Sequence, residues 1–241
     1  MLEINSLSKK YANGKLALSD ISFSLKGSEM LAIVGSSGAG KSTLLKCINR
    51  LEEYEGSIKL DGLCIEKLNS RALRRLRCNI AMIFQNYNLV ENLSVIENVL
   101  HGTLGKINFF RALFGLYTKA EKEKATYFVN MVGMRDFLYR PCFSLSGGEK
   151  QRVGIARSFM QEPTLVLADE PSSSLDIKTS NAVLSLLKDL CKKRGVAIIV
   201  NLHQIDLAKR FADRIIALKD GKIIFSDIPS KLDDNMLKKI F

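Results

Sequence analysis

The chain has 241 residues, 46% of them apolar and 25% charged, which allows a sizeable core and argues against wholesale disorder. Its formal net charge of +11 suits a polyanionic partner such as nucleic acid, anionic lipid or a nucleotide. The basic residues are scattered, however, and no helix-turn-helix, RNA-recognition or zinc-finger signature accompanies them, so nucleic acid is not the expected partner.

In chain order, the opening third reads as strands. Ile21, Phe23 and Leu25 alternate with serines, as in a strand with one wet face. Met30 to Val34 is a continuous apolar run, which suits a strand buried on both faces. A glycine-rich loop follows, and then Leu44, Leu45, Ile48 and Leu51 fall on one helical stripe. Asp61-Gly62 predicts a hairpin between two short strands. Ile80 to Phe84, Leu165 to Ala168 and Ala197 to Val200 are further buried-strand candidates, each closed by a polar residue: Gln85, Asp169 and Asn201. From residue 88 to 145 helical patterns replace strand patterns, so a mainly helical insertion is expected in an α/β core made of residues 1–87 and 146–241. Within it Phe109, Phe110, Phe114 and Tyr117 read first as core of that lobe, with contact to a partner chain and a membrane-surface stripe as the other roles. A hairpin through Asp220-Gly221 and a short docked helix near the C-terminus complete the pattern.

Cys47, Cys64, Cys78, Cys142 and Cys191 are odd in number and lie far apart, so they read as small buried hydrophobes in a reducing compartment. No signal-peptide core opens the chain, and no apolar run reaches the roughly 18 residues of a membrane span. The expectation is a cytoplasmic protein held at a membrane only through another chain.

The loop GSSGAGKST, Gly35, Ser36, Ser37, Gly38, Ala39, Gly40, Lys41, Ser42 and Thr43, fits the phosphate-loop pattern between strand and helix. Its backbone N–H groups and the following helix start face an anion, Lys41 reaches the β- and γ-phosphates, and Ser42 offers a hydroxyl to Mg²⁺. Asp169 and Glu170 end a buried strand, where Asp169 would hold Mg²⁺ and Glu170 would take a proton from the attacking water. Gln85 could reach the metal, and His203 could contact the γ-phosphate. His101 reads as a packing or surface histidine.

A second anion-like stretch, Leu145 to Val153 (LSGGEKQRV), raises the question of why one chain should carry two. These residues together resemble the ATP-binding subunits of ABC transporters. Tyr11 falls at the family's adenine-stacking aromatic, residues 35–43 at Walker A, Gln85 at the Q-loop, Leu165 to Glu170 at Walker B, Ser173 to Asp176 at the D-loop and His203 at the switch histidine. The resemblance implies a P-loop NTPase of the RecA-like type: a mostly parallel sheet, an N-terminal antiparallel β-subdomain and an inserted helical subdomain. It implies ATP and Mg²⁺ as ligands. It also implies a head-to-tail homodimer in which Ser146, Gly147, Gly148 and Asp176 serve the partner's ATP. Membrane permease subunits would dock around Asn86 to Leu100, and an extracytoplasmic solute-binding protein would act indirectly. Glu149 replaces the usual glutamine, Ser174 an alanine and Ile177 a proline. The segments around His203 and residues 97–125 resemble the phosphonate-importer branch. An importer for another solute, an exporter, a lipoprotein-release ATPase and a DNA-repair-type ATPase remain the alternatives.

Overall fold

The structure, a computed structural model, describes residues 1–240. Two sheets organise it. The first is antiparallel, in the order β2-β1-β4-β5, from β1 (Leu2–Lys10), β2 (Leu16–Leu25), β4 (Glu55–Leu60) and β5 (Leu63–Cys64). The second runs β10-β9-β3-β8-β7-β6 and contains β3 (Met30–Val34), β6 (Ile80–Ile83), β7 (Leu165–Asp169), β8 (Ala197–Asn201), β9 (Arg214–Lys219) and β10 (Lys222–Asp227). Its pairs are parallel except β9–β10, a hairpin through Asp220-Gly221.

The continuous apolar runs explain the layering. A strand buried on both faces sends alternate side chains to opposite sides. Met30, Ala32 and Val34 of β3 join Val166 and Ala168 of β7 and Ile198 and Val200 of β8 in one core. Leu31, Ile33, Leu165, Leu167, Ala197 and Ile199 point into the other. The second core is closed by the antiparallel sheet, α1 (Lys41–Ile48) and α2 (Ser70–Arg77). The first is closed by α3 (Val95–Leu100), α5 (Lys119–Met131), α6 (Gly147–Met160), α7 (Ile177–Arg194), α8 (Ile205–Phe211) and α9 (Asp234–Ile240). Among the described residues no helix is long and apolar enough to cross a membrane.

Four details differ from the sequence reading. Leu51 lies past the end of α1 and is 50% exposed, because the helix stops at Ile48 and Arg50 turns the chain with a positive φ. Cys47, Cys142 and Cys191 are buried as expected, and burial pushes the Cys47 thiol up to about 12, but Cys64 and Cys78 are half-exposed. β6 stops at Ile83, so Phe84, read as part of that strand, lies just beyond it. The aromatic segment is not lobe core: Phe109, Phe110 and Phe114, in and just after α4 (Phe109–Leu113), are 72%, 70% and 69% exposed, and only Tyr117 packs on the core. The helical pattern there has no opposing layer, since α4 is a short helix with no buried residue.

Phe128 shows what anchors the helical lobe. Its ring is fully buried on α5 and lies 6.5 Å from that of Phe159 on α6. Replacing it by alanine removes the ring and leaves a cavity, so Phe128→Ala should cost about 3–5 kcal/mol in urea unfolding.

Candidate functional site

β3 ends at Val34 and α1 begins at Lys41, and the loop between them needs backbone that a side chain would obstruct. A Cβ on Gly35 (φ +148°) would lie 2.2 Å from the Leu218 carbonyl oxygen, and one on Gly40 (φ +106°) 2.5 Å from that of Ala17. Gly40 is the residue before α1 and offers no side-chain cap. The first N–H groups of the helix are therefore free of a side-chain acceptor and suit an anion. Ser36, Ser37 and Gly38 form the exposed tip, while Ala39 is buried beneath it.

Lys41 is buried, and its Nζ donates to the carbonyls of Gly35 and Ser36 at 2.8 and 2.9 Å. Burial lowers its pKa, against the opposing pull of the Glu170 and Asp169 carboxylates. An ammonium folded back on its own loop is a cation poised for a better acceptor such as phosphate.

Asp169, at the end of β7, is the meeting point. Its Oδ1 accepts from Ser42 Oγ at 2.9 Å and from Asn201 Nδ2 at 2.7 Å. Asn201 is fully buried, and among the described residues its own Oδ1 has no hydrogen-bond partner. The sequence showed Asn201 only as a polar residue closing an apolar run; its role as a donor to Asp169 was missed. Glu170 follows in a left-handed conformation (φ +51°), which turns its side chain away from the strand direction. His203 Nε2 lies 2.5 Å from Glu170 Oε1. That contact sets the imidazole directly against the carboxylate.

Tyr11, Lys15, Ala17, Ser37, Gly38, Gly40, Lys41, Ser42, Thr43, Glu170 and His203 line a cavity of about 200 Å³. The Tyr11 hydroxyl pairs with Thr43 Oγ1 at 3.2 Å, and the Lys9 ammonium covers one ring face 4.9 Å from its centre. The ring's other face is the one a purine could stack on. Gln85 lies in the exposed turn after β6 and outside this lining. Ser42 and Asp169 are hard oxygen donors, the type that holds Mg²⁺. Among the described residues no cluster of three or more His, Cys, Asp and Glu could hold a metal alone. A metal here would draw ligands from bound phosphates, the usual arrangement for Mg²⁺.

The second glycine stretch lies apart from this cavity. Ser146 caps α6, and Glu149 completes a capping box: its Oε2 accepts from the Ser146 N–H at 2.7 Å and from the Ser146 hydroxyl at 2.8 Å. The Ser-x-x-Glu spacing carried that signal in the sequence. A Cβ on Gly148 would meet Thr179 Cγ2 at 2.5 Å. Asp176 caps α7, accepting from the Thr179 N–H and hydroxyl at 3.0 and 2.6 Å, and these bonds hold its carboxyl below the usual range. Neither Ser146, Gly147, Gly148 nor Asp176 lines the chain's own phosphate cavity.

Asn201→Ala removes a donor to Asp169 and also an unpartnered buried oxygen. Those two terms oppose each other in stability, each about 1–3 kcal/mol. The expected outcome is a shift in melting temperature of only about 4 °C or less with about tenfold slower ATP turnover. A large melting shift with normal turnover would assign Asn201 to the fold alone.

A sequence model described as ABC transporter matches residues 18–173. The chain is 52% identical over 240 residues to the phosphonates import ATP-binding protein PhnC of Treponema denticola, covering 99% of this chain and 94% of that protein. It is 48% identical to the protein of the same name from Nitratidesulfovibrio vulgaris, covering 100% and 91%. Among solved structures, a dimeric ATP-binding cassette in a post-hydrolysis state with ADP and phosphate superposes with a TM-score of 0.81 at 32% identity, covering 95% of this chain and 99% of that one. A phosphate loop at the carboxyl ends of parallel strands, an Asp-Glu pair beside it and a second glycine stretch set apart are thus accounted for together: the chain belongs to the ABC transporter family of ATP-binding cassettes.

Proposed function

We propose that this chain is the ATP-hydrolysing subunit of a membrane importer whose solute is a phosphonate or a related oxyanion. The observation that carries the enzymatic reading is the convergence of Lys41, Ser42, Asp169, Glu170 and His203 where β3, β7 and β8 end. The solute follows the printed names of relatives that are 40–52% identical over the length of the chain.

The chain's own groups divide the work. The α1 N-terminus and Lys41 take up phosphate charge, Tyr11 offers a ring to the base, and Glu170 accepts the proton of the attacking water. His203 orients Glu170 in the resting state, and a γ-phosphate would compete for the same imidazole. Mg²⁺, held by Ser42 and Asp169 and within reach of Gln85 after movement of its loop, would screen the charge on the phosphates.

The remaining assignments concern partners. Ser146, Gly147, Gly148 and Asp176 would act on the ATP of a second copy, in a dimer that forms on ATP and opens on hydrolysis. A groove of about 1190 Å³ runs between Leu93 to His101 and the α4–α5 segment, with Leu113, Phe114 and Tyr117 on its far wall. It offers a permease's cytoplasmic helix a seat of mixed apolar and charged lining and overlaps the stretch Asn86 to Leu100 expected to receive one. Attachment there would make the chain peripheral at the cytoplasmic face, with a solute-binding protein acting from the other side.

Glu170→Gln should retain ATP binding and lose turnover by about a hundredfold or more, leaving an ATP-bound dimer visible by sedimentation. Wild-type chain with its permease should support growth on phosphonate as sole phosphorus source, and the Glu170→Gln chain should not. Unchanged ATPase in the variant removes Glu170 as base; growth without the chain removes the solute.

Glu149 supplies a second test. Its carboxylate sits on the capping serine, where a partner's γ-phosphate would approach. Glu149→Gln keeps an acceptor for the Ser146 N–H and removes the charge. In the Glu170→Gln background it should lower the protein concentration needed for ATP-dependent dimerisation by about threefold, more at low salt. An unaltered or weakened dimer would place the phosphate elsewhere.

A further inference from the structure

The loop after Gln85 carries a contact that the phosphate site does not use. The Tyr87 hydroxyl lies 2.9 Å from Ser174 Oγ, joining the turn after β6 to the turn before α7 across 87 positions of sequence. The same hydroxyl is 2.8 Å from where a Cβ on Gly147 would stand, and Leu175 Cδ2 is 3.3 Å from that point. Three loops therefore meet at one phenol: the one containing Gln85, the start of α6 at Ser146, and the one that leads to Asp176.

The backbone beneath is strained and clamped. Tyr87 and Asn88 both have positive φ, +58° and +49°. For residues other than glycine such conformations are costly and persist only where the surroundings enforce them. Arg157 of α6 supplies the enforcement, its guanidinium donating to the carbonyls of Tyr87 (2.8 Å) and Asn88. The clamp fixes the backbone of this loop to α6. Among the described residues Ser174, which is exposed, makes no other side-chain hydrogen bond, so the hydroxyl pair is the polar tie to the other loop. An alanine at that position would offer no partner.

We infer that Tyr87 is a positioning residue for ATP hydrolysis: its hydrogen bond to Ser174 holds the Gln85 loop and the Asp176 loop in one register. The inference rests on the proposed role of those loops in hydrolysis. Tyr87 lies two residues after Gln85 and Ser174 two before Asp176, so a slip at the hydroxyl pair is felt at both. The pair touches neither the phosphate loop nor Tyr11, and nucleotide affinity does not depend on it.

The test is a double-mutant cycle with Tyr87→Phe and Ser174→Ala, each of which deletes one hydroxyl and nothing larger. Each single variant should lower kcat about threefold, near the worth of one exposed neutral hydrogen bond, with the Michaelis constant for ATP changed less than twofold. The double variant should also be about threefold slower, because the second deletion removes nothing more. Multiplication to about ninefold overturns the inference, as does unchanged kcat in either single variant, or a rise in the Michaelis constant that accounts for the whole effect. A melting scan of all three separates a folding defect, which would lower active protein without this pattern. Glu170→Gln, assayed alongside, keeps the two readings apart: if it retains turnover the hydrolytic site itself is misassigned, whereas its inactivity with a failed cycle removes the Tyr87 role alone.

Discussion

One carboxylate ties the site to the fold. Asp169 Oδ1 accepts at once from Ser42 on α1 and Asn201 on β8, while its own strand is β7. The first turn of the phosphate-loop helix and two neighbouring parallel strands are thereby fixed by a single oxygen. Hydrogen bonds to an ionised acceptor are the stronger kind, and here one donor is fully buried where water does not compete. The arrangement leaves Asn201 Oδ1 without a hydrogen-bond partner among the described residues.

That anchoring explains a contrast between rigid and adjustable parts. The strands carrying Asp169 and Asn201 are buried on both faces and have no freedom to shift without opening a core. The groups that must respond to a ligand sit instead at the ends of elements and in the turns that follow them. Lys41 rests on loop carbonyls, and Glu170 rests on His203, each holding a provisional partner that phosphate or water can replace. Glu170, Tyr87 and Asn88 hold left-handed conformations, so the strain in this part of the molecule is concentrated where chains turn out of the sheet.

The sequence disclosed what local patterns encode. Apolar runs located the buried strands because alternation is absent when both faces are covered, and the glycines at 35 and 40 marked backbone that no side chain could share. The Ser-x-x-Glu spacing at 146 was equally available and went unread. What periodicity could not supply was the third dimension. Phe109, Phe110 and Phe114 look like core until one knows that nothing packs above α4. The stripe through Leu51 fails for the same kind of reason, since periodicity does not say where a helix ends. Asn201 and Tyr87 were opaque because their partners, Asp169 and Ser174, are distant in the chain and meet only in the fold.

The separation of the two glycine stretches is itself a physical argument. In one copy the phosphate loop has donors and a cation but no contribution from Ser146, and the capping serine is already satisfied by Glu149. A helix start whose own acid fills its cap has no need of a ligand to satisfy it. On the proposed reading, a second copy bringing ATP would have to displace or share that carboxylate, which takes several contacts formed together. Ile177, 71% exposed, follows Asp176 at the first turn of α7. Association on the proposed reading is therefore weak until the triphosphate supplies the charge that outbids Glu149, and it weakens again when the terminal phosphate leaves. A cap of moderate strength serves that cycle better than an open nest, because an open nest would also take up free phosphate and remain half-occupied between turnovers.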